Sequence, residues 1–126
     1  MHVIKIMQWK YTSIVLIFFF CFVDNPIYVE EGKYVAISWT TKVDQPNYNV
    51  VFNQLSNQTD DLIYAQGILQ NKSAKYKYFR KIGVQIQFTL TQVNELDVGL
   101  YKSMSTWHWH YWSSIHGCAF LVMEGM

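Results

Sequence analysis

Cysteine is scarce in this chain. Its 126 residues hold two, Cys21 and Cys118, and that excludes the dense disulfide framework with which small secreted scaffolds make up for a thin core. Charge is thin as well. Only 15% of residues are Asp, Glu, Lys or Arg, the net charge is +1, and no basic block offers a field for nucleic acid or an anionic membrane. Downstream of Val23 no apolar run approaches the roughly 20 residues that cross a bilayer, so a type I membrane protein is not expected. Internal repeats and low-complexity tracts are missing. So are a nucleophile elbow, a phosphate-cradling glycine loop and a paired-carboxylate motif, and neither catalysis nor a cofactor is expected.

What the chain does hold is apolar and aromatic side chains, 51% and 17% of the residues, which argues against disorder and for one well-filled core. Residues 1–13 carry His2, Lys5 and Lys10 without an acid, Ile14–Val23 is the unbroken run IVLIFFFCFV, and Asp24, Asn25 and Pro26 close it. That is the layout of a secretory signal peptide over residues 1–23, and an uncleaved signal anchor is the alternative, because no small-x-small pair precedes a cut. Losing Lys5 and Lys10 with the leader would leave the remainder at −1. Cys118 would then be the sole thiol, either a small buried hydrophobe or an intermolecular bridge.

From Ile27 onward the pattern is of short strand-like runs between polar breaks. Pro26–Val29 suits a first edge strand. Tyr34–Thr40 alternates, with Val35, Ile37 and Trp39 on one side and Ala36, Ser38 and Thr40 on the other, which means one buried face. Val50–Phe52 and Leu62–Tyr64 are short apolar strands, and residues 66–74 are polar and irregular. A strand is expected around Tyr76, Tyr78, Phe79, Arg80 and Lys81. Val84, Ile86, Phe88 and Leu90 alternate with Gln85, Gln87 and Thr89 in the cleanest strand of the chain, and Gly117–Met126 reads as a closing strand.

The stretch Val93–Ser103, VNELDVGLYKS, puts Asp97, Gly99 and Tyr101 at alternate positions. Together with the preceding Phe88, Leu90 and Val93 it resembles strands E and F of an immunoglobulin-type sandwich of the variable kind. The resemblance implies an all-β, two-sheet antiparallel Greek-key sandwich over residues 25–126. It also implies a tyrosine corner at Tyr101, and pairing of Asp97 with a basic residue at the start of strand D, for which Arg80 is placed. Trp39 and Ser103 stand where the family has its inter-sheet cysteines, so that bond is missing. Phe52 is the candidate for the place of the family's strand C tryptophan, and Trp39 packed over Ser103 is expected to offset the lost disulfide.

Trp107, His108, Trp109, His110, Tyr111 and Trp112 would then lie in the loop between strands F and G, where large aromatic area suits recognition. His108 and His110, with His116 or Cys118, are the only residues suggesting a metal, and their spacing matches no established zinc pattern. The triplets at Asn57 and Asn71 match the N-glycosylation acceptor. The function expected is extracellular or cell-surface recognition of a protein or glycan, in secreted form or held at the membrane by an uncleaved leader. The alternatives are self-association through Cys118 or the aromatic stretch, as a homodimer, and a small secreted metal-binding protein.

Overall fold

The computed structural model describes residues 25–42, 48–65, 67–70, 73–104 and 115–125. The expected leader at 1–23, the aromatic stretch 107–112 and Asn71 lie outside them.

The strands in chain order are β1 (Ile27–Val29), β2 (Val35–Thr40), β3 (Asn49–Gln54), β4 (Asp60–Ala65), β5 (Ile68–Leu69), β6 (Tyr76–Ile82), β7 (Gln85–Leu90), β8 (Gly99–Met104) and β9 (Ile115–Met123), with one 3₁₀ turn at Glu95–Asp97. They form a β-sandwich. One sheet has the order β1-β9-β8-β3-β4-β5 and the other β2-β7-β6. β1 runs parallel to β9, and every other pair is antiparallel.

Alternation explains the small sheet. Ile37 and Trp39 of β2 and Ile86, Phe88 and Leu90 of β7 are buried, while Ala36, Ser38 and Thr40 face solvent. A period of two on a pleated strand sends one set to the core and the other to water. The large sheet behaves differently, because all six residues of β8 and the last six of β9 are buried.

Between the sheets the rings form a continuous chain. Tyr48 stacks on Tyr64 at 5.2 Å, Tyr64 on Phe79 at 4.8 Å, and Phe79 on Phe88 at 4.5 Å. Phe88 meets Tyr101 edge-on at 5.4 Å, and Tyr101 stacks on Phe52 at 4.4 Å. Such contacts contribute about 0.5–1.5 kcal/mol each beyond the area they bury.

Boundaries differ from the sequence expectation at several places; β3 and β4 run longer at both ends, as Asn49–Gln54 and Asp60–Ala65, and β9 ends at Met123. Ile68–Leu69 pairs with β4 inside the stretch read as irregular; two residues are too few to show a period. Val84 falls outside β7, where its carbonyl accepts from the Thr41 backbone N–H at 2.7 Å and hydroxyl at 3.1 Å. β9 begins two residues early, at Ile115 opposite Met104.

Candidate functional site

The sequence points to the segment joining β8 to β9, and what the structure describes is its base. Met104 pairs with Ile115, and one step inward Ser103 pairs with Gly117 on one side and Val50 on the other. Trp39 reaches this row from the opposite sheet. Its Nε1–H donates to Ser103 Oγ at 2.9 Å, and that hydroxyl donates to the Gly117 carbonyl at 3.3 Å. The indole also packs edge-on against Phe88 at 6.0 Å. A buried tryptophan needs an acceptor for its N–H, and Ser103 provides one.

Gly117 is part of the same fit. A Cβ there would lie 2.5 Å from the Thr40 carbonyl oxygen and 2.7 Å from Trp39 Cδ1. Only glycine lets the indole approach β9. The resemblance put Phe52 beside the missing disulfide, but the register sets Val50 opposite Ser103 and Phe52 opposite Tyr101. The Phe52 ring therefore packs on the tyrosine, one alternate position away from the expected place.

Tyr101 and Asp97 build the corner at the other end of β8. The buried Tyr101 hydroxyl donates to the Asp97 carbonyl at 3.0 Å. Burial, followed by the proximity of Tyr76 and Asp97, raises the Tyr101 pKa well above its ordinary value. Burial raises Tyr76 too, with Asp97 and Asp61 adding to it, and the same cause, followed by Tyr64, raises Tyr48. These tyrosines are neutral hydrogen-bonding struts, far from the state a catalytic base requires.

The Asp97 carboxylate closes the turn from below. Its Oδ2 accepts from the Asn94 backbone N–H at 2.9 Å, and Asn94 Oδ1 accepts from the Leu96 N–H at 2.8 Å, a reciprocal cap of the 3₁₀ turn. The cation on Asp97 is Lys75, in direct contact with Oδ2. Arg80 is not the partner. A register shift between Lys77 and Arg80, with Tyr78 at φ 60°, sets Arg80 opposite Gln87, and with the Gln87 amide oriented to accept, Arg80 Nε and Nη2 lie 2.8 and 2.7 Å from its oxygen. Leu90, the last residue of β7, is fully buried beside this corner and pairs with Tyr76. Gly99 starts β8 at φ 155°, where a Cβ would lie 2.2 Å from the Asn53 carbonyl.

On the outer side of the large sheet, Lys102 is buried and ion-paired with Asp60 at 3.2 Å, and Asn53 Nδ2 donates to Asp60 Oδ1 at 2.9 Å. Beside this polar group lies a second apolar cluster of Leu100, Cys118, Phe120 and Val122. Cys118 is buried and disulfide-bonded, so its sulfur is not available as a thiolate ligand. Among the described residues no three His, Cys, Asp or Glu side chains group to hold a metal ion. Asn57 is exposed in the turn between β3 and β4, open to a glycan.

Sequence reasoning missed Lys75, Gly117, Tyr64 and Phe79. Asn94 and Asp97 carried the spacing of a cap, and that signal alone would have marked the turn. The other four depend on which strands meet. No family model matches the chain, and no curated protein is significantly similar to it.

Proposed function

We propose that residues 25–126 form a variable-type immunoglobulin-like domain that acts outside the cell as a noncovalent recognition module. Its partner is a protein or glycan, engaged through the end of the sandwich where residues 105–114 join β8 to β9. The observation that carries this reading is the strand order. In that family strands B, E and D share one sheet, and the variable type adds C′ and C″ to the sheet of G, F and C. Here β2, β7 and β6 make the first set, and β9, β8, β3, β4 and β5 the second.

Further support comes from the Tyr101 hydroxyl on the Asp97 carbonyl, which has the form of a tyrosine corner. The disulfide at Cys118 suits an oxidising compartment, reached through the N-terminal leader. Tryptophan and tyrosine offer large contact area at low entropy cost, and Trp107, Trp109, Tyr111 and Trp112 concentrate it between the two strands. Binding by such a surface involves no catalytic step and no cofactor.

The test uses the full chain recovered from the medium of a eukaryotic secretory host and applied to a glycan array and to intact cells. The variant carrying Trp107→Ala, Trp109→Ala and Trp112→Ala is expected to lose at least tenfold in binding while its melting midpoint stays put. Unchanged binding would remove the assignment of the contact surface. Retention of the chain inside the cell, with no glycosidase-sensitive mass at Asn57, would remove the extracellular reading.

A further inference from the structure

We propose that the outer face of the three-stranded sheet binds an anionic glycan chain, with Lys77 and Arg80 as the paired cations that hold it. A spacing of three along an unbroken strand sends two side chains to opposite faces. The register overrides that. Lys77 pairs with Thr89 and Arg80 with Gln87, so Tyr78 and Phe79 together stand opposite Phe88 alone. The extra residue is a β-bulge, and it brings both cations to the side of Thr89 and Gln87, away from the core that holds Phe88. Thr89 and Gln87 are two residues apart on β7, which sets the cations about 7 Å from each other along the sheet.

The bulge is held under strain. Tyr78 stands at φ 60°, a left-handed conformation that bulky residues rarely adopt, and it is 76% exposed, so its own side chain gains little burial there. Phe79 anchors the kink from inside, stacked on Phe88 and Tyr64. Strained backbone gathers at ligand-binding sites, and a bulge is a recurrent means of re-aiming a side chain. The side chain re-aimed here is Arg80. With the Gln87 amide oriented to accept, its oxygen steers Arg80 through Nε and Nη2, and a guanidinium so engaged keeps further N–H donors for a ligand.

The surroundings favour an anion. None of the three strands carries an Asp or Glu, and Asp97, at the corner beyond β7, is already held by Lys75. Ser38, Thr40 and Gln85 are exposed on the same face, where Ile82 is the one large apolar side chain in the paired rows. Such a face gives a protein partner no apolar centre to bury. Its hydroxyl and amide groups match the hydroxyls of a sugar chain, and Lys77 and Arg80 match the sulfates or carboxylates along it. This surface is a sheet face and not the end of the sandwich, so it goes beyond the recognition reading, and either can fail without the other.

The test applies the full chain from a secretory host to immobilised heparin, the probe for an anionic glycan. Binding is expected at about 0.05 M salt and should weaken toward about 0.3 M as the pair is screened. Lys77→Gln and Arg80→Gln should each weaken it at least about fivefold, as loss of a charge-assisted hydrogen bond does, with the melting midpoint unchanged because both side chains are exposed. Lys42→Gln removes the same charge from a residue that has left the small sheet, its N–H bonding the His116 carbonyl at 2.8 Å; heparin binding should then stay within about twofold. No binding to heparin, or a loss in Lys42→Gln equal to that in Arg80→Gln, would overturn the site. Polyglutamate competing as well as heparin would overturn the glycan as its occupant. The variant carrying Trp107→Ala, Trp109→Ala and Trp112→Ala should bind heparin like the parent, and a loss there would also overturn the proposal.

Discussion

The two sheets of this sandwich solve different problems. The three-stranded sheet buries one face and leaves Ala36, Ser38 and Thr40 in water, while β8 at the centre of the six-stranded sheet is buried on both faces, Lys102 included. A strand wet on one side announces itself by alternation. A strand buried on both sides reads as a nearly continuous apolar run, as Ala119–Met123 does. The difference shows that β8 and the end of β9 are buried on both faces, while the strands of the small sheet are buried on one.

The largest expected effect tests the join between the sheets. Trp39→Ala should cost about 3–5 kcal/mol, the range for removing a large buried aromatic side chain, read by chemical denaturation. Trp39 crosses from β2 to the Ser103–Gly117 row, and a loss under about 1 kcal/mol would mean that the join lies elsewhere. Phe120→Ala compared with Ser38→Ala tests the contrast of the outer faces directly. The first should cost about 3 kcal/mol and the second less than about 0.5 kcal/mol, as for an ordinary surface change. Equal small losses would make both outer faces wet and dissolve the comparison.

A smaller effect is expected at the corner. Tyr101→Phe keeps the ring stacked on Phe52 but leaves the Asp97 carbonyl without its donor, at about 1–2 kcal/mol. The same tyrosines set an alkaline limit. Burial raises the folded-state values of Tyr101, Tyr76 and Tyr48, so above about pH 10, the ordinary tyrosine value, the native state holds protons that the unfolded chain gives up. Their contribution is complete below that pH and is lost as pH rises toward the folded-state values. Tyrosinate absorbance should show a late fraction that appears only with unfolding, and titration of every tyrosine near pH 10 in the folded protein would contradict it.

Much of the architecture could be read in advance because it rests on local periodicity. The alternation of Ile37 with Trp39 and of Ile86, Phe88 and Leu90 marked two strands and their inner faces, and Asp97, Gly99 and Tyr101 marked the corner between β7 and β8. The errors have one physical source. Arg80 was assigned to Asp97 by the resemblance, as the basic residue at the start of strand D, and a register shift around Tyr78 set it opposite Gln87 while Lys75 took the carboxylate. Phe52 was placed beside Ser103 by analogy, and the β3–β8 register shifted it by two.

What the sequence alone determined was most of the strands, β5 apart, the inner face of those that alternate, and the residue types that meet in the core, because strand geometry repeats every two residues and hydrophobicity follows it. Tertiary structure decided the rest: which cation meets Asp97, why residue 117 must be glycine, and that β8 and the end of β9 are buried on their outer side as well. Those facts depend on register and on contacts between segments far apart in the chain, and no local pattern encodes the distance between Trp39 and Ser103, 64 positions apart.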